Sequence, residues 1–335
     1  MKGECGLHNV GNTCYLNAAV QCLRHCLDTS KYFLSENYKS VLKDDILERD
    51  IVQIWHVLLY NLWSKDEPIN PSDFVRHFIK CSQNSGYSTF VSFQQNDVDE
   101  FITNLINILH NGISQKIEYN ISGDAKNDYD KHALEAYKRW KEYFENDYSI
   151  FIKHFYSQYI SKTTCKKCDN VSFNYDPFLV CHLPVPEKED VTLYDCLDLF
   201  INEEDLDDDN QWKCDKCAIY QKAQKKILFW KTPNILVIFF NRFRDNKLSL
   251  LIDFPIYNLD IGKYCFNYSN EKHIYNLYGI GNYFGNGMGG HYTAIIKNKN
   301  SKWYHIDDNN ISMLEEKTVI NNRQYAYCLF YQKIT

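Results

Sequence analysis

Residues 6–23 read GLHNVGNTCYLNAAVQCL and place a cysteine, Cys14, directly after a Gly-Asn-Thr turn. Apolar residues recur at helical spacing after this cysteine, so the segment is predicted to form an amphipathic helix. Asn12 and Thr13 are residue types that commonly cap the start of a helix. A thiol in the first turn lies near the positive end of the helix dipole, which favours the thiolate, the nucleophilic form of cysteine. The segment therefore predicts a reactive cysteine.

A histidine and two carboxylates stand near the other end of the chain. The stretch GGHYTAIIKN at 289–298 contains His291, and WYHIDDNNI at 303–311 contains Asp307 and Asp308. Cysteine, then histidine, then a carboxylate is the chain order of papain-like catalytic triads, whose members meet in space. In such a triad the histidine takes the thiol proton and later protonates the leaving amine.

The composition indicates a globular protein of a reducing compartment. The 335 residues are 44% hydrophobic, which is enough for a large core. No run approaches the roughly 18 apolar residues of a membrane span, and no signal-peptide pattern opens the chain. Thirteen cysteines without a secretory signal favour free thiols, and the net charge of −6 argues against a nucleic-acid partner. We therefore expect a cytoplasmic or nuclear protein that binds neither membrane nor nucleic acid.

The hydrophobic pattern divides the chain into a helical and a β-rich part. The first 145 residues are predicted to be mainly helical, and short β-branched and aromatic runs typical of strands begin at about residue 150. Helices are predicted at 46–63, at 97–109 and at about 133–145, with another beginning at Asn70-Pro71. Gly112 is expected to end the helix at 97–109. Because the cysteine lies in the helical part and the histidine in the β-rich part, the two parts are expected to form one catalytic unit.

Two Cys-x-x-Cys pairs suggest a metal site. They are Cys165 with Cys168 and Cys214 with Cys217. Two such pairs suit tetrahedral Zn²⁺ held by four thiolates, and a site closed by four protein ligands is structural, not catalytic. The 45 intervening residues exceed the commonest spacing of zinc ribbons. A redox pair or free thiols therefore remain alternatives.

Five segments, in family order, resemble the sequence motifs of the ubiquitin-specific proteases. The segment at 6–23 is similar to their GLxNLGNTCYMNAxLQ motif, and the histidine segment is similar to GGHYTAY followed by WYxFDD. The other three are SFQQNDVDEF at 92–101, TPNILVIFFNRF at 232–243 and YAYCLFYQK at 325–333. The resemblance implies an α+β fold. It is that of a papain-like cysteine protease with a helical N-terminal lobe, a β-rich C-terminal lobe and an inserted zinc-bearing β fingers extension.

The same resemblance implies how the chain is organised and which partners it has. The helical lobe would span about 1–150, the fingers about 151–230 and the β-rich lobe with the catalytic histidine about 231–335, all in one catalytic domain. The fingers would hold one structural Zn²⁺ per chain, and no organic cofactor is expected. The partners would be ubiquitin and ubiquitinated proteins, and the protein is expected to be a monomer.

The resemblance also assigns roles to residues around the cysteine. Cys14 would attack the carbonyl carbon after the C-terminal glycine of ubiquitin and form a thioester. Asp307 would orient His291, with Asp308 as a supporting polar group and the competing candidate for the direct contact. Asn9 would donate to the oxyanion formed during attack, although an asparagine that only stabilises the turn is the alternative.

Further positions of the family motifs lie near the substrate's tail. Gln95 and Asp97 match such positions, and Asp97 can either pair with an arginine of the tail or cap a helix. Gly289, Gly290 and Tyr292 belong to the histidine motif and are expected to contact the substrate, since glycines let a backbone pass close by.

One departure from the family pattern lies just before the histidine. Tyr283 stands where the family commonly has histidine, and five glycines in GNYFGNGMGGHY at 281–292 suggest a mobile loop at 281–290 that could gate the tail channel. Two rival functions also stay open. One is a protease for another ubiquitin-like modifier, and the other is a ubiquitin-binding scaffold without activity.

Overall fold

The computed structural model describes residues 3–44, 46–242, 250–266, 271–285, 289–321 and 323–334. Phe243, the last residue of the motif at 232–243, lies outside these ranges. The first half of the described chain is helical, as predicted. Its helices are α1 (Cys14–Arg24), α2 (Leu27–Leu34), α3 (Glu48–Ser64), α4 (Ser72–Asn84), α5 (Val98–Ile113), α6 (Asp128–Phe144) and α7 (Ile150–Phe155).

The second half consists mainly of strands. They are β1 (Ser157–Cys165), β2 (Val171–Phe178), β3 (Val180–Leu183), β4 (Val191–Thr192), β5 (Glu204–Leu206), β6 (Trp212–Cys214), β7 (Ile219–Gln221), β8 (Ala223–Lys231), β9 (Ile235–Phe240), β10 (Ile252–Asp253), β11 (Leu259–Asp260), β12 (Ile274–Gly285), β13 (Gly290–Lys297), β14 (Trp303–Asp307), β15 (Asn310–Leu314) and β16 (Ala326–Lys333). Two further helices lie among them, α8 (Leu193–Phe200) and α9 (Glu316–Asn321). The predicted α+β fold is confirmed.

Two sheets organise the strands. The larger has the order β15-β14-β13-β12-β16-β9-β3, with β11 added beside β12, and the smaller has the order β2-β1-β8-β5. The smaller sheet, with the β6-β7 hairpin, forms the β extension that carries the four paired cysteines. Within the range 151–230, β3 pairs with β9 of the larger sheet and α8 packs in its core. The division of the chain into three regions stays a prediction.

Helix α1 positions the cysteine because it is buried on every side. All eleven of its residues are buried, and it lies between the other helices of the N-terminal lobe and strand β13 of the larger sheet. A helix that is enclosed in this way has little freedom to shift relative to the sheet. Its first residue, Cys14, therefore meets the strand that carries His291.

Several predicted helix boundaries differ from the structure, since α3 begins at Glu48 and not at 46 and α6 begins at Asp128 and not at about 133. Two further differences concern a glycine and a helix start. Helix α5 continues past Gly112 to Ile113, because Gly112 faces α3 so closely that a Cβ atom would lie 2.5 Å from Val52 Cγ2. The glycine thus permits close helix packing instead of ending the helix. Helix α4 begins at Ser72, one residue later than predicted, and Asn70 Oδ1 accepts a hydrogen bond from the Ser72 backbone N–H at 2.9 Å.

Candidate active site

The turn before Cys14 is braced by the side chain of Asn9. Asn9 Oδ1 accepts hydrogen bonds from the backbone N–H groups of Gly11 at 3.2 Å and Thr13 at 3.1 Å. The Thr13 hydroxyl accepts from the Val10 backbone N–H at 3.0 Å and does not cap α1. The predicted side-chain cap is therefore absent from this helix start. Its place is taken by a network of hydrogen bonds within the turn.

Cys14 is almost fully buried, with 4% of its surface exposed. Burial raises the pKa of its thiol, and the backbone of Tyr292 and the Gln95 amide oppose this effect only in part. Because burial disfavours the charged form, the thiol predominates near neutral pH. The prediction that the helix start favours the thiolate is corrected here, since desolvation outweighs it. A base is then needed to activate the sulfur.

A raised thiol pKa predicts how the free protein reacts with a small alkylating agent. The rate of iodoacetamide addition to Cys14, mapped by mass spectrometry, is expected to increase with pH. At pH 9.0, the ordinary pKa of a cysteine thiol, the rate should still be increasing. The physical reason is that the thiolate fraction grows about tenfold per pH unit below the pKa. A rate that levels off near neutral pH would instead show a thiolate stabilised in the resting protein.

His291 and Asp307 form a hydrogen-bonded pair on neighbouring strands. His291 on β13 and Asp307 on β14 are joined by a 2.6 Å contact between Nε2 and Oδ1, and each side chain is 42% exposed. Since Nε2 is taken by the carboxylate, Nδ1 is the ring nitrogen left for the thiol. No hydrogen bond joins His291 to Cys14 in the described part of the chain.

Asp308 connects the β14–β15 turn to the start of α1. Its carboxylate accepts hydrogen bonds from Asn9 Nδ2 at 2.9 Å and Asn17 Nδ2 at 2.7 Å. Its backbone carbonyl accepts from the Leu7 N–H at 2.9 Å, and its φ is +50°. The geometry therefore places Asp307, and not Asp308, against the histidine. Asp308 ties the nucleophile's turn to the strand that carries Asp307.

Gln95 joins Cys14 to the histidine strand. Its Nε2 lies 3.6 Å from Cys14 Sγ and donates to the Gly290 carbonyl at 2.5 Å, while its Oε1 accepts from the Gly290 N–H at 3.1 Å. A Cβ atom on Gly290 would lie 2.6 Å from the Phe284 carbonyl oxygen, so glycine is required there. A Cβ on Gly289 would lie 4.0 Å from Gln95 Oε1, which is ordinary contact. Gln95, which was predicted to contact the substrate, thus links the start of α1 to strand β13.

Asp97 caps helix α5 and is bound to the β-rich lobe. One carboxylate oxygen accepts from the Asp99 N–H at 2.8 Å and the other from the Tyr327 hydroxyl at 2.9 Å. Burial raises the pKa of the Asp97 carboxyl. The structure thus shows the capping alternative, and pairing with an arginine stays a prediction.

The predicted contact residue Tyr292 is 3% exposed, with its ring centroid 4.9 Å from that of Tyr283. Contact of Tyr292 with a substrate stays a prediction.

The predicted loop at 281–290 is mostly a hairpin. Strand β12 runs to Gly285 and β13 begins at Gly290, and they pair in register as far as these two residues. Residues 286–288 lie outside the described part of the chain. The loop prediction was therefore wrong for 281–285, where β pairing outweighs the glycine content. Gating by this segment stays a prediction.

Three residues of the site lie within the family motifs, but the sequence assigned them no role. Asn17 binds Asp308, Tyr327 binds Asp97, and Phe93 has φ +67° with its carbonyl accepting from Asn12 Nδ2 at 2.7 Å. Asn17 could have been found, because an amide on the inner face of an apolar helix needs a partner. Nothing in the local sequence indicates the other two contacts, since both join distant segments.

The four paired cysteines converge at one end of the β extension. Cys165 ends β1 and Cys168 lies in the turn that follows it, and Cys214 ends β6 and Cys217 lies in the turn before β7. All four sulfur atoms lie within 4.8 Å of one another, and Cys168 Sγ is 3.6 Å from Cys214 Sγ. Tetrahedral Zn²⁺ with Zn–S bonds of about 2.3 Å sets its sulfurs about 3.8 Å apart. This geometry can hold one metal ion.

The sequence profile of the ubiquitin carboxyl-terminal hydrolases matches residues 5–331, almost the whole chain. The chain belongs to the ubiquitin carboxyl-terminal hydrolase family. The chain is 30% identical to ubiquitin carboxyl-terminal hydrolase Usp2 of Drosophila melanogaster. It is 31% identical to ubiquitin carboxyl-terminal hydrolase 2 of Gallus gallus, and each alignment covers 99% of this chain. The resemblance to ubiquitin-specific protease catalytic domains is thereby confirmed. The matched region covers 35% of the fly protein, 55% of the Bos taurus relative and 94% of the Gallus gallus relative.

Solved structures share the fold of this family member over its whole length. The SAGA DUB module bound to monoubiquitin and the SAGA Ubp8/Sgf11/Sus1/Sgf73 DUB module bound to ubiquitin aldehyde match with TM-scores of 0.76 and 0.74. Each is 24% identical, and the match covers 100% of this chain and 70% of the other. Among the described residues, no helix is both long and apolar enough to cross a bilayer.

Proposed function

We propose that this chain is a deubiquitinating cysteine protease that cleaves the isopeptide or peptide bond after the C-terminal glycine of ubiquitin. The observation that carries the proposal is the 2.6 Å contact between His291 and Asp307. Gln95 joins β13, the strand of His291, to Cys14. The fold around these residues is that of the ubiquitin carboxyl-terminal hydrolases. Acyl transfer needs a nucleophile, a base held in a fixed orientation and room for the substrate backbone, which the glycines beside His291 would leave.

The reaction would proceed in two acyl-transfer steps. His291 Nδ1 takes the Cys14 proton as Sγ attacks the glycine carbonyl carbon, and the histidine then gives that proton to the leaving lysine amine. The carbon–nitrogen bond breaks and a thioester remains on Cys14. Water then attacks the thioester with His291 as base, which releases the glycine carboxylate and restores the thiol. Asp307 stabilises the imidazolium formed in both steps.

Two N–H donors at this turn would serve the oxyanion. One is the Cys14 backbone N–H at the first position of α1, and the other is the second Nδ2 hydrogen of Asn9, whose first is bound to Asp308. Such donors stabilise charge that develops in the transition state. Because Asn9 Oδ1 also braces the turn at Gly11 and Thr13, Asn9 would serve both roles that the sequence left open.

The Asn9→Ala variant is expected to lower kcat by roughly 10²- to 10³-fold with little change in KM. A donor used mainly in the transition state produces this pattern. The matched control is Asn12→Gly, which removes an amide from the same turn, suits the φ of +56° and leaves Asp308 untouched. Its kcat should stay close to wild type. A normal kcat of Asn9→Ala would rule out the oxyanion role, whereas loss of Cys14 alkylation together with thermal stability would favour a role in bracing the turn.

The cysteine cluster is proposed to hold one structural Zn²⁺ per chain. Thiolates are the ligands that this ion prefers, and the four sulfurs lie within 4.8 Å of one another. When bound, the ion would join the β1–β2 turn to the β6–β7 hairpin and so order the end of the extension.

Metal analysis of freshly purified, reduced protein is expected to give about one zinc per chain. The Cys214→Ser variant should lose the metal and bind ubiquitin more weakly, because its extension is no longer tied. Its Cys14 should still react with iodoacetamide at the wild-type rate. Cys265→Ser, a cysteine outside the cluster, serves as the control and should retain the zinc. Much less than one zinc in the wild type would argue for free thiols.

Rates on matched reporters test the proposed substrate. Fluorogenic esters or amides at the C-terminus of ubiquitin and of ubiquitin-like modifiers present the same chemistry on different folded proteins. We expect the highest kcat/KM on ubiquitin. A faster rate on another modifier would reassign the substrate. If none of the reporters is cleaved even once per enzyme molecule, that result would support the scaffold alternative.

A further inference from the structure

An aromatic cavity lies outside the candidate active site, where helix α6 meets strands β1 and β8. Its volume is about 250 Å³. Five aromatic side chains form most of its wall, together with Gln158, Lys231, Glu271 and His273. The aromatic residues are Tyr119, Tyr137, Trp140, Trp230 and Phe266. Aromatic walls with a few polar groups are typical of small-molecule sites, and this volume lies below the roughly 300–1,000 Å³ of drug-sized pockets.

One positive charge in this cavity has no carboxylate partner. Lys231 Nζ lies 3.6 Å from the centre of the Trp140 ring, and no ion pair joins it to an acid in the described ranges. The only acid of the lining, Glu271, is paired with Lys333. Burial lowers the pKa of His273, so this imidazole is neutral near pH 7. Burial lowers the pKa of the Lys231 ammonium to about 8, and the nearby Glu271 carboxylate opposes this shift, so Lys231 is still mostly charged at pH 7.

The position of Lys231 also decides which ligands the aromatic walls can take. Aromatic cages in proteins commonly bind quaternary ammonium groups through cation–π contacts. Here the chain's own ammonium already occupies the Trp140 face. A second cation would meet like-charge repulsion, whereas an anion would gain a charge-assisted hydrogen bond.

We propose that this cavity binds a small aromatic carboxylate, with its ring against the aromatic walls and its carboxylate on Lys231 Nζ. The aromatic rings supply the apolar contact, and offset or edge-to-face packing suits a planar ring. The volume admits a single ring with its acid group. This site is independent of the proposed protease chemistry, because none of its lining residues belongs to the triad or to the cysteine cluster.

Benzoate is the probe that tests the site. Trp140 and Trp230 line the cavity, so binding should change tryptophan fluorescence saturably at benzoate concentrations below about 10 mM. Lys231→Met keeps the length of the side chain and removes its charge, and it should weaken benzoate binding at least tenfold. Lys162→Met, an exposed lysine on β1 outside the cavity, is the matched control and should bind as the wild type does.

Two further ligands separate charge from shape. Benzyl alcohol has the same ring without the charge and should bind the wild type more weakly than benzoate. Tetramethylammonium should not bind the wild type. Thermal unfolding of each variant shows whether it is folded. The proposal is overturned if benzoate gives no saturable change, if folded Lys231→Met binds it as well as the wild type, or if tetramethylammonium binds the wild type more tightly.

Discussion

The Cys14→Ala variant is expected to lose hydrolysis of a ubiquitin reporter, with kcat falling by at least about 10⁴-fold. Cys14 is the first residue of α1, and it is joined through Gln95 to the strand that carries His291. Without the sulfur, no thioester forms and the remaining groups can only activate water poorly. Reporter cleavage and ubiquitin affinity measured on one preparation check the result.

Ubiquitin affinity should change little in this variant, because most contact with the proposed substrate is expected to lie away from the sulfur. Cys22→Ala is the matched control, since Cys22 is fully buried on the same helix and has no role in the proposed chemistry. It should lower the melting temperature through lost packing and keep its kcat. Turnover by Cys14→Ala within tenfold of wild type would remove Cys14 from the nucleophile role.

The second large effect is expected at Asp307. Asp307→Asn should lower kcat by about 10³- to 10⁴-fold while the protein stays folded, because the neutral amide neither fixes the tautomer of His291 nor stabilises its charged form. The observed contact is the 2.6 Å bond between His291 Nε2 and Asp307 Oδ1. Kinetics and thermal unfolding on the same samples measure the effect.

Asp308→Asn provides the comparison from the neighbouring position. Asp308 accepts hydrogen bonds from Asn9 and Asn17, so its loss should reduce thermal stability more than that of Asp307. Its kcat should fall much less, through displacement of the turn. If Asp308→Asn were the more damaging of the two to kcat in folded protein, the assignment of the two carboxylates would be reversed.

The sequence predicted the parts of the site that local residue types specify. The Gly-Asn-Thr-Cys turn, the histidine between glycines and β-branched residues, and the paired cysteines each have a chemistry that their neighbours reveal. The α+β division followed from the change in hydrophobic period near residue 150. These features depend on short segments, and the structure brings the two cysteine pairs within 4.8 Å of each other and joins His291 to Asp307.

The contacts that align the site could not be predicted, because they join segments far apart in the chain. Asn9 and Asn17 meet Asp308 across 299 and 291 residues, and Tyr327 meets Asp97 across 230. Tertiary packing also overrode local signals. Gly112 lies within a helix against Val52, and burial of Cys14 raises its pKa against the helix dipole.

The most direct test is labelling with ubiquitin that carries an electrophile in place of its C-terminal carboxylate, followed by mapping of the modified residue. The account predicts a single covalent adduct on Cys14, formed by the wild type and absent from Cys14→Ala. The twelve other cysteines form no disulfide in the structure and provide internal controls. An adduct on any of them, or an equal yield from Cys14→Ala, would contradict the assignment of Cys14 as the nucleophile that acts on ubiquitin.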